Sequence, residues 1–212
     1  MGTHERRDRE KQQLRRKILA AARKLFVERG YEAVTMREIA RAIEYSPTAI
    51  YLHFRDKKAV MDAICDEDFL ALAKRFWKIG AIVDPVERIR QAGLAYAEFG
   101  LRHPHHYRLM FLAPHPPHRV EDSALEHGNP DQDAYAFLRG AVAEAIAAGR
   151  FRRGLDDADL VSQLVWSGIH GLVALLVVKY DEPWIDWRPK KKLVAEMVEL
   201  TLRGLLRAPA EG

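Results

Sequence analysis

Cysteine is nearly absent from this chain of 212 residues, in which Cys65 is the only one. A single cysteine excludes an internal disulfide and is typical of a protein from a reducing compartment. Acidic residues near Cys65 in the sequence disfavour a thiolate, so we expect an inert thiol. The first ten residues lack the apolar run of a secretory signal, which favours a cytoplasmic location.

Sequence motifs of several enzyme classes are also absent. There is no GxGxxG or Walker loop for a nucleotide and no GxSxG turn for a nucleophilic serine. Asp156 and Asp157 are explained by helix capping rather than by acid–base chemistry. His103 and His106 are a close pair in a group that includes positions 105, 115 and 118, but no cysteine or HExxH pattern completes a zinc site. We therefore expect no catalytic residue, no metal and no cofactor.

Alternating strand patterns are missing, and helical periodicity continues along the chain. We predict an all-α fold with a flexible basic arm at 1–10, a three-helix head at 11–56 and a C-terminal helical domain at 57–212. Helices are predicted at about 11–29, 36–42, 47–54, 56–79, 85–102, 104–112, 131–148, 157–180 and 187–207. The connection at 113–130 is rich in proline and histidine, so it is either a functional lid or disordered.

Residues 35–57 predict two short helices joined by a tight turn. Thr35 and Glu38 have the spacing of a capping box, in which each side chain bonds the backbone amide of the other residue. Ser46 is an N-cap residue type, and Pro47 falls at the first helical position, where its missing N–H costs nothing. About three residues separate the two helices, as in a helix-turn-helix that reads DNA.

The second of these helices carries residue types suited to DNA. Thr48 and Ala49 are small, so the backbone can approach a major groove closely. Tyr51 and His53 are placed to donate to flanking phosphates, and Lys57 begins the next helix, whose N-terminus also attracts a phosphate. The predicted DNA-binding residues are Thr35, Arg37, Ser46, Pro47, Thr48, Ala49, Tyr51, His53 and Lys57.

Positive charge is concentrated in the head. Residues 1–60 contain 15 Lys and Arg against 8 Asp and Glu, whereas residues 61–212 contain 19 against 22. Double-stranded DNA is the partner that this charge favours, and a solvated basic surface is the competing interpretation. Arg6, Arg7 and Arg9 are candidates for phosphate or minor-groove contact, but an unstructured terminus without function is the preferred interpretation.

The runs ILAAARKLFVERGYEAVTMREIA at 18–40 and SPTAIYLHFRDKKAV at 46–60 resemble the N-terminal signature of the TetR family of bacterial regulators. The resemblance covers about residues 14–62 and is more specific than a lone helix-turn-helix. The family's turn usually carries glycine followed by valine, where this chain has Glu44 and Tyr45. A positive φ at Glu44 would cost about 1 kcal/mol relative to glycine. Either the turn has a different geometry, or Tyr45 replaces valine as a staple against Ile50.

Trp166, His170 and Gly171 resemble a Trp-x-x-x-His-Gly signature of one branch of that family, and HPHHYRLMF at 103–111 is similar to a segment of the same branch. His170 is either a ligand contact or a satisfied histidine at a dimer seam, and the second interpretation is preferred. The resemblance implies a pocket for an apolar or aromatic effector in the domain at 57–212. Candidate pocket residues, each also an ordinary core candidate, are Phe69, Phe76, Tyr96, Phe99, Tyr107, Met110, Phe111, Phe137, Trp166 and His170.

The segment SQLVWSGIHGLVALLVV at 162–178 is the most apolar window, but it is too short and too polar for a membrane span. A helix that is apolar nearly all round is buried on several sides, so we expect one face to pack against a second subunit. The resemblance implies that the last two helices and their symmetry mates form a four-helix bundle. The predicted interface residues are Leu172, Leu176, Leu193, Met197, Leu200 and Gly204.

The resemblance implies a homodimeric transcriptional regulator, most often a repressor, that leaves a palindromic operator when it binds a small molecule. Two alternatives stay open. One is a DNA-organising protein with the same head and no inducer. The other is a ligand-binding or enzymatic helical protein with a vestigial head, against which the basic head with Tyr51, His53 and Lys57 argues.

Overall fold

Helices form the regular structure of residues 3–117 and 119–207, which are the residues that the computed structural model describes. No strand occurs in these two ranges, and the predicted all-α class is confirmed. A π-helical turn at Arg108–Leu112 and 3₁₀ turns at Ile79–Ala81 and Val120–Asp122 supplement the α-helices. The α-helices are α1 (Thr3–Arg29), α2 (Met36–Ala42), α3 (Pro47–Tyr51), α4 (Lys57–Phe76), α5 (Pro85–Arg102), α6 (Pro104–Tyr107), α7 (Ala134–Ala147), α8 (Ala158–Lys179) and α9 (Lys190–Leu205).

The starts of α2 and α3 follow the predicted capping chemistry. The Glu38 amide donates to Thr35 Oγ1 at 3.3 Å, and the Thr35 amide donates to Glu38 Oε2 at 2.8 Å, which completes the capping box. The Ala49 amide donates to Ser46 Oγ at 3.2 Å, and Pro47 is the first residue of α3. The predicted helix-turn-helix is confirmed at both helix starts, although α3 ends earlier than predicted.

Residues 3–10, predicted to be a flexible arm, belong to α1. No proline or glycine interrupts the chain from Thr3 to Arg29, and Arg6 pairs with Glu10 one turn later at 2.9 Å. A helix can therefore continue here without an apolar stripe, since its residue types favour the conformation. The prediction of a flexible arm at 1–10 rests on the missing apolar periodicity; residues 3–10 are helical instead, and residues 1–2 lie outside the described residues.

The turn between α2 and α3 holds Glu44 in the left-handed region, with a φ of 59°. The Tyr45 amide donates to the Ala40 carbonyl at 3.0 Å, and the Glu44 amide donates to the Arg41 carbonyl at 3.2 Å. These two hydrogen bonds form a Schellman motif, in which glycine usually occupies the position of Glu44. The turn therefore keeps the geometry of a glycine turn, and Glu44 bears the strain of a positive φ.

Later helix starts differ from the predictions by a few residues. α7 is capped by Asp133, and α8 is capped by Asp157 rather than by Asp156. Two adjacent aspartates satisfy the same N-cap preference, so their sequence alone does not distinguish them. α9 begins at Lys190, after Pro189, because the residue that precedes a proline disfavours the helical conformation.

The chain divides into two compact units: unit 1 comprises residues 1–68 and 105–124, and unit 2 comprises residues 69–104 and 125–212. The predicted boundary at 56/57 lies inside unit 1, which also contains the first turns of α4 and the segment 105–124. Hydrophobic side chains from all these parts form the core of unit 1. They include Ile18, Phe26, Val34, Ile39, Ile50, Phe54, Val60, Ile64, Tyr107 and Leu109.

Unit 2 packs α5, α7, α8 and α9 against one another. α5 approaches its neighbours closely at Gly93, since a Cβ there would lie 3.3 Å from Val198 Cγ2 and 3.7 Å from Ile169 Cδ1. α8 is long and apolar enough to cross a membrane, but core helices of soluble proteins can have the same length and composition. The residues that α8 buries in this unit are Val161, Ser162, Val165, Ile169, Val173 and Leu176.

We expect Glu44→Gly to raise the free energy of unfolding by about 0.5–1 kcal/mol, because glycine adopts a positive φ without steric strain. Chemical denaturation followed by circular dichroism measures this change, and the m-value should stay constant because the surface exposed on unfolding is unchanged.

Glu32→Gly is the matched control, since it removes the same charge from an exposed turn residue that does not have a positive φ. It should leave the stability unchanged or lower it. A Glu44→Gly protein that is less stable than the wild type would contradict the assignment of strain to this turn.

Candidate functional site

α3 presents one exposed face of unit 1. Pro47 and Thr48 are exposed in its first turn, Ala49 is half-buried, and Ile50 is buried in the core. Tyr51 is 52% exposed at the end of the helix. A helix whose first turn exposes small side chains suits the major groove, and a neighbouring tyrosine hydroxyl suits a phosphate.

An ion pair joins the end of α1 to the start of α2. Arg29 Nη2 donates to Glu38 Oε1 at 2.7 Å. This bond, followed by the hydrogen bonds from Thr35, lowers the pKa of Glu38 to about 2, so the capping box stays charged at neutral pH. Thr35, a predicted DNA contact, uses its hydroxyl inside this cap, whereas Arg37 is exposed on α2.

Lys57 is held by the loop between α1 and α2. Its Nζ donates to the Tyr31 carbonyl at 2.8 Å and to the Glu32 carbonyl at 3.4 Å, and it lies 4.2 Å from the centroid of the Tyr31 ring. An ammonium with these partners stabilises the loop through hydrogen bonds and a cation–π contact. The structure therefore gives Lys57 a supporting role in unit 1, and its phosphate contact stays a prediction.

His53 is half-buried just after α3 and lies near two cations of α1. Burial is the main cause that lowers the pKa of His53, and Lys11 and Arg15 lower it further, so the ring is neutral at pH 7. The Arg15 guanidinium also lies 4.6 Å from the centroid of the Phe54 ring.

Sequence reasoning missed Lys11 and Arg15 as neighbours of the DNA-binding face. Their spacing of four residues places them on one side of α1, but no local pattern in the sequence indicates that the end of α3 lies beside them.

Residues 119–124 are fixed to α4 within unit 1. Lys58 Nζ donates to Asp122 Oδ2 at 2.7 Å, and the Ser123 hydroxyl donates to Asp66 Oδ1 at 2.7 Å. The amide of the following residue, 124, donates to the other oxygen of Asp66 at 2.8 Å. Residues 122–124, in the middle of the predicted 113–130 connection, are therefore held against the helix that follows the head.

Cys65 is buried in α4 among acidic residues. Burial is the main cause that raises the pKa of its thiol to about 12, and Asp68, Asp62 and Asp66 raise it further. The reactive thiolate is therefore not populated at neutral pH. The expectation of an inert thiol is confirmed.

Unit 2 contains a chain of hydrogen bonds through three predicted pocket residues. Trp166 Nε1 donates to the Tyr96 hydroxyl at 3.2 Å, and that hydroxyl lies 2.9 Å from His170 Nδ1. Burial lowers the pKa of His170, which favours a neutral ring, and in the tautomer with a bare Nδ1 that atom accepts a hydrogen bond from the Tyr96 hydroxyl. The centroid of the Tyr135 ring lies 6.1 Å from that of Trp166. His170 is thus hydrogen-bonded within its own subunit, and this aromatic group offers polar atoms that can orient a ligand.

The other predicted pocket residues are distributed over both units. Those in unit 1 are Tyr107, Met110 and Phe111. Those in unit 2, besides the hydrogen-bonded three, are Phe69, Phe76, Phe99 and Phe137. Among these, the rings of Phe76 and Phe137 pack against each other at an angle of 46°, with their centroids 5.2 Å apart.

A small cavity lies between α5, α8 and α9 in unit 2, with room for about one water molecule. It is too small for a ligand of ordinary size, which needs several hundred Å³. None of the predicted pocket residues lines it. The lining residues are Ile89, Gly93, Val165, Ile169, Val198, Thr201 and Leu202.

The histidines in the middle of the chain do not converge on a metal. Within residues 3–117 and 119–207, no group of three or more His, Cys, Asp or Glu side chains is arranged to hold one. His103 lies against an arginine, His106 Nδ1 lies 2.7 Å from Asp68 Oδ1, and His115 lies against a backbone carbonyl. His118 lies outside the described residues.

α8 and α9 leave an apolar face exposed. Leu164 and Leu175 on α8 are 50% and 53% exposed, and Leu200 on α9 is 63% exposed. Gly171 and Gly204 are also exposed, and a Cβ added at either would meet no atom within 4 Å. These glycines leave room for a second helix to approach closely.

The predicted interface residues fall on different sides of these helices. Leu200 and Gly204 are exposed, and Leu172, Leu193 and Met197 are half-buried. Leu176 is a correction, because it is almost fully buried in the core of its own subunit. The sequence of a helix that is apolar nearly all round does not indicate which face points inward. In α8 the exposed position is that of Leu175 and not that of Leu176.

Comparisons with known proteins match both parts of the chain. A family model described as bacterial regulatory proteins, tetR family, matches residues 18–64. A second model, described as the tetracyclin repressor-like C-terminal domain, matches residues 89–200, which is more than half of the chain. The first match contains α2 and α3, and the second contains α7, α8 and most of α5 and α9.

Individual proteins agree with the family models. The HTH-type transcriptional repressor Rv1474c of Mycobacterium tuberculosis is 44% identical over 73 residues, which are 33% of this chain and 39% of that protein. The match thus spans only about two fifths of the relative's own length. The structure of a protein of unknown function from Rhodococcus sp. RHA1 is similar with a TM-score of 0.69 and 26% identity, covering 92% of this chain and 95% of that one.

A further structure, the TetR family transcriptional regulator PfmR of Thermus thermophilus, shares the fold with a TM-score of 0.66 and 24% identity, covering 90% of this chain and 96% of that one. Neither the family models nor these proteins test the signature of Trp166, His170 and Gly171, so the branch stays a prediction. The capped helix pair α2–α3 and the match over 89–200 lead to the same conclusion: this chain belongs to the TetR family of bacterial DNA-binding transcriptional regulators.

Proposed function

We propose that this protein is a ligand-responsive repressor, which binds a palindromic operator as a homodimer and leaves it when a small apolar or aromatic effector binds unit 2. The observation that carries the proposal is α3, which exposes a small-residue first turn and Tyr51 in the most basic part of the chain. Phosphate contacts fix the register, and the exposed turn of α3 reads base edges. The M. tuberculosis relative, which is named as a repressor, supports repression.

The homodimer is supported by the exposed leucines of α8 and α9. These two helices pack against each other, so Leu164, Leu175 and Leu200 lie on neighbouring helices of one unit. A second copy related by a two-fold axis would cover this face and complete a four-helix bundle. The two α3 helices of such a dimer enter successive major grooves, about 34 Å apart, which makes the operator palindromic.

The effector is proposed to bind among the aromatic residues of unit 2. The hydrogen-bonded group of Tyr96, Trp166 and His170 provides polar atoms in an otherwise apolar setting, which favours an apolar or aromatic molecule over a phosphate or sugar. Such a ligand releases the operator only if it binds the DNA-free state more tightly than the DNA-bound state. By the same linkage, operator DNA must weaken effector binding by the same factor.

Selection of binding sites from random duplex DNA at fixed salt should yield a palindromic consensus. In Tyr51→Phe, which lacks one phosphate donor, the affinity should fall by about tenfold for every sequence while the consensus stays the same. In Thr48→Ala, the consensus itself should relax at one position of each half-site, because a base contact is lost.

Tyr180→Phe is the matched control, since it removes the same hydroxyl from unit 2 and should leave both affinity and consensus unchanged. Weak enrichment without any consensus would overturn the repressor proposal and favour a DNA-organising protein that has the same head.

Leu175→Asp and Leu200→Asp should each convert the dimer to a monomer, because a carboxylate would be buried at the subunit interface. The subunit itself should stay folded, since both side chains are exposed within it. Sedimentation equilibrium measures the mass, and operator affinity should fall by more than tenfold. Val83→Asp, at a residue that is 92% exposed, is the control. Dimers of unchanged strength in both leucine variants would contradict the proposed interface.

A panel of apolar and aromatic small molecules should contain one that raises the melting temperature and releases the operator. Tyr96→Phe, which breaks the chain from Trp166 to His170, should raise the effector concentration needed for release by about tenfold, with operator affinity little changed. If every molecule that stabilises the protein leaves operator affinity unchanged, the ligand-responsive part of the proposal is wrong.

A further inference from the structure

One side of α1 changes from apolar to basic along the helix. Within the head this side is buried, as Ile18 and Ala22 are fully covered. Toward the N-terminus the same side continues through Arg15, Lys11 and Arg7, which follow one another at intervals of four residues. We call these three residues the α1 basic stripe.

The α1 basic stripe lies beside the end of α3. Lys11 and Arg15 are close enough to His53 to lower its pKa further after burial, and the Arg15 guanidinium lies 4.6 Å from the centroid of the Phe54 ring. His53 and Phe54 come just after Leu52, the C-cap of the exposed helix that carries Tyr51. The stripe therefore extends the predicted DNA-binding face along α1.

The charges of the stripe are available to a partner outside the protein. Arg7 and Lys11 are exposed, and neither forms an ion pair or a hydrogen bond within residues 3–117 and 119–207. Arg6, on another side of the same turns, is paired with Glu10 instead. Beyond the core, the same side of α1 thus carries cations that no acidic side chain in this part of the structure neutralises.

We propose that the α1 basic stripe is a second DNA-contacting surface, which binds backbone phosphates beside the bases that α3 reads. Two helical turns separate Arg7 from Arg15, a length of about 12 Å, over which one DNA strand carries about three to four phosphates. These contacts add affinity and salt dependence and leave the sequence preference unchanged. The proposal rests on the proposed function, because it needs α3 to be placed on DNA.

The test compares two double variants of the full chain that lose the same charge. Arg7→Gln with Lys11→Gln removes two members of the stripe, and Arg16→Gln with Lys24→Gln removes two exposed cations from other sides of α1. Affinity for the selected operator is measured between about 50 and 200 mM salt. Each lost phosphate contact should reduce the slope of log K against log salt by about 0.9, so the stripe variant should lose nearly two.

The control variant should keep a slope within about 0.5 of the wild type. Shortening the operator at both ends, so that its flanking phosphates are removed, should bring the wild type to the affinity of the stripe variant. Equal slopes for the two variants would overturn this inference while leaving specific operator binding intact. A wild-type protein that selects no operator would overturn the proposed function instead.

Discussion

The arrangement of unit 1 depends on the buried carboxylate of Asp68 in α4. Arg23 of α1 pairs with one of its oxygens, and His106 Nδ1 lies 2.7 Å from the other. A carboxylate only accepts, so the His106 ring nitrogen must donate. Asp68 is 2% exposed, so losing either partner would leave a buried carboxylate short of a donor, and α1, α4 and the segment 105–124 therefore meet at this point. The position of the helix pair that follows α1 is fixed as a consequence.

The parts of the fold that the sequence predicts well are those controlled by local chemistry. The capping box of Thr35 and Glu38 acts over three residues, so its residue types are visible in the sequence and its geometry is confirmed. The same holds for Ser46 and Pro47 at the start of α3. Family resemblance added the function, which neither charge nor helical spacing identifies alone.

Predictions failed or stayed open where partners lie far apart in the sequence. Lys57 bonds a carbonyl 26 positions away, and Asp66 bonds Ser123 across 57 positions, so neither contact has a local signal. The prediction of Leu176 as an interface residue is wrong for a different reason. Both faces of α8 are apolar, so only the packing of unit 2 determines that Leu176 is buried and Leu175 is exposed. Residues 3–10 are helical without an apolar stripe, so hydrophobic periodicity gives no signal for this part of α1.

Two departures from ordinary local rules lie near α3. Glu44 holds a positive φ in the turn that leads into it, and Arg7, Lys11 and Arg15 place like charges along one side of α1. Both features oppose stability in the free protein, through backbone strain and through charge repulsion. Such costs are typical of functional surfaces, and phosphates would relieve the second of them.

In the proposed dimer, two-fold symmetry places two α3 helices in successive major grooves. Hydroxyl-radical footprinting of the protein on its selected operator would reveal this arrangement. Two protected regions are expected on one face of the duplex, related by a dyad and centred about 10 base pairs apart. Protection that has no dyad and spreads along the DNA as the protein concentration rises would contradict this arrangement.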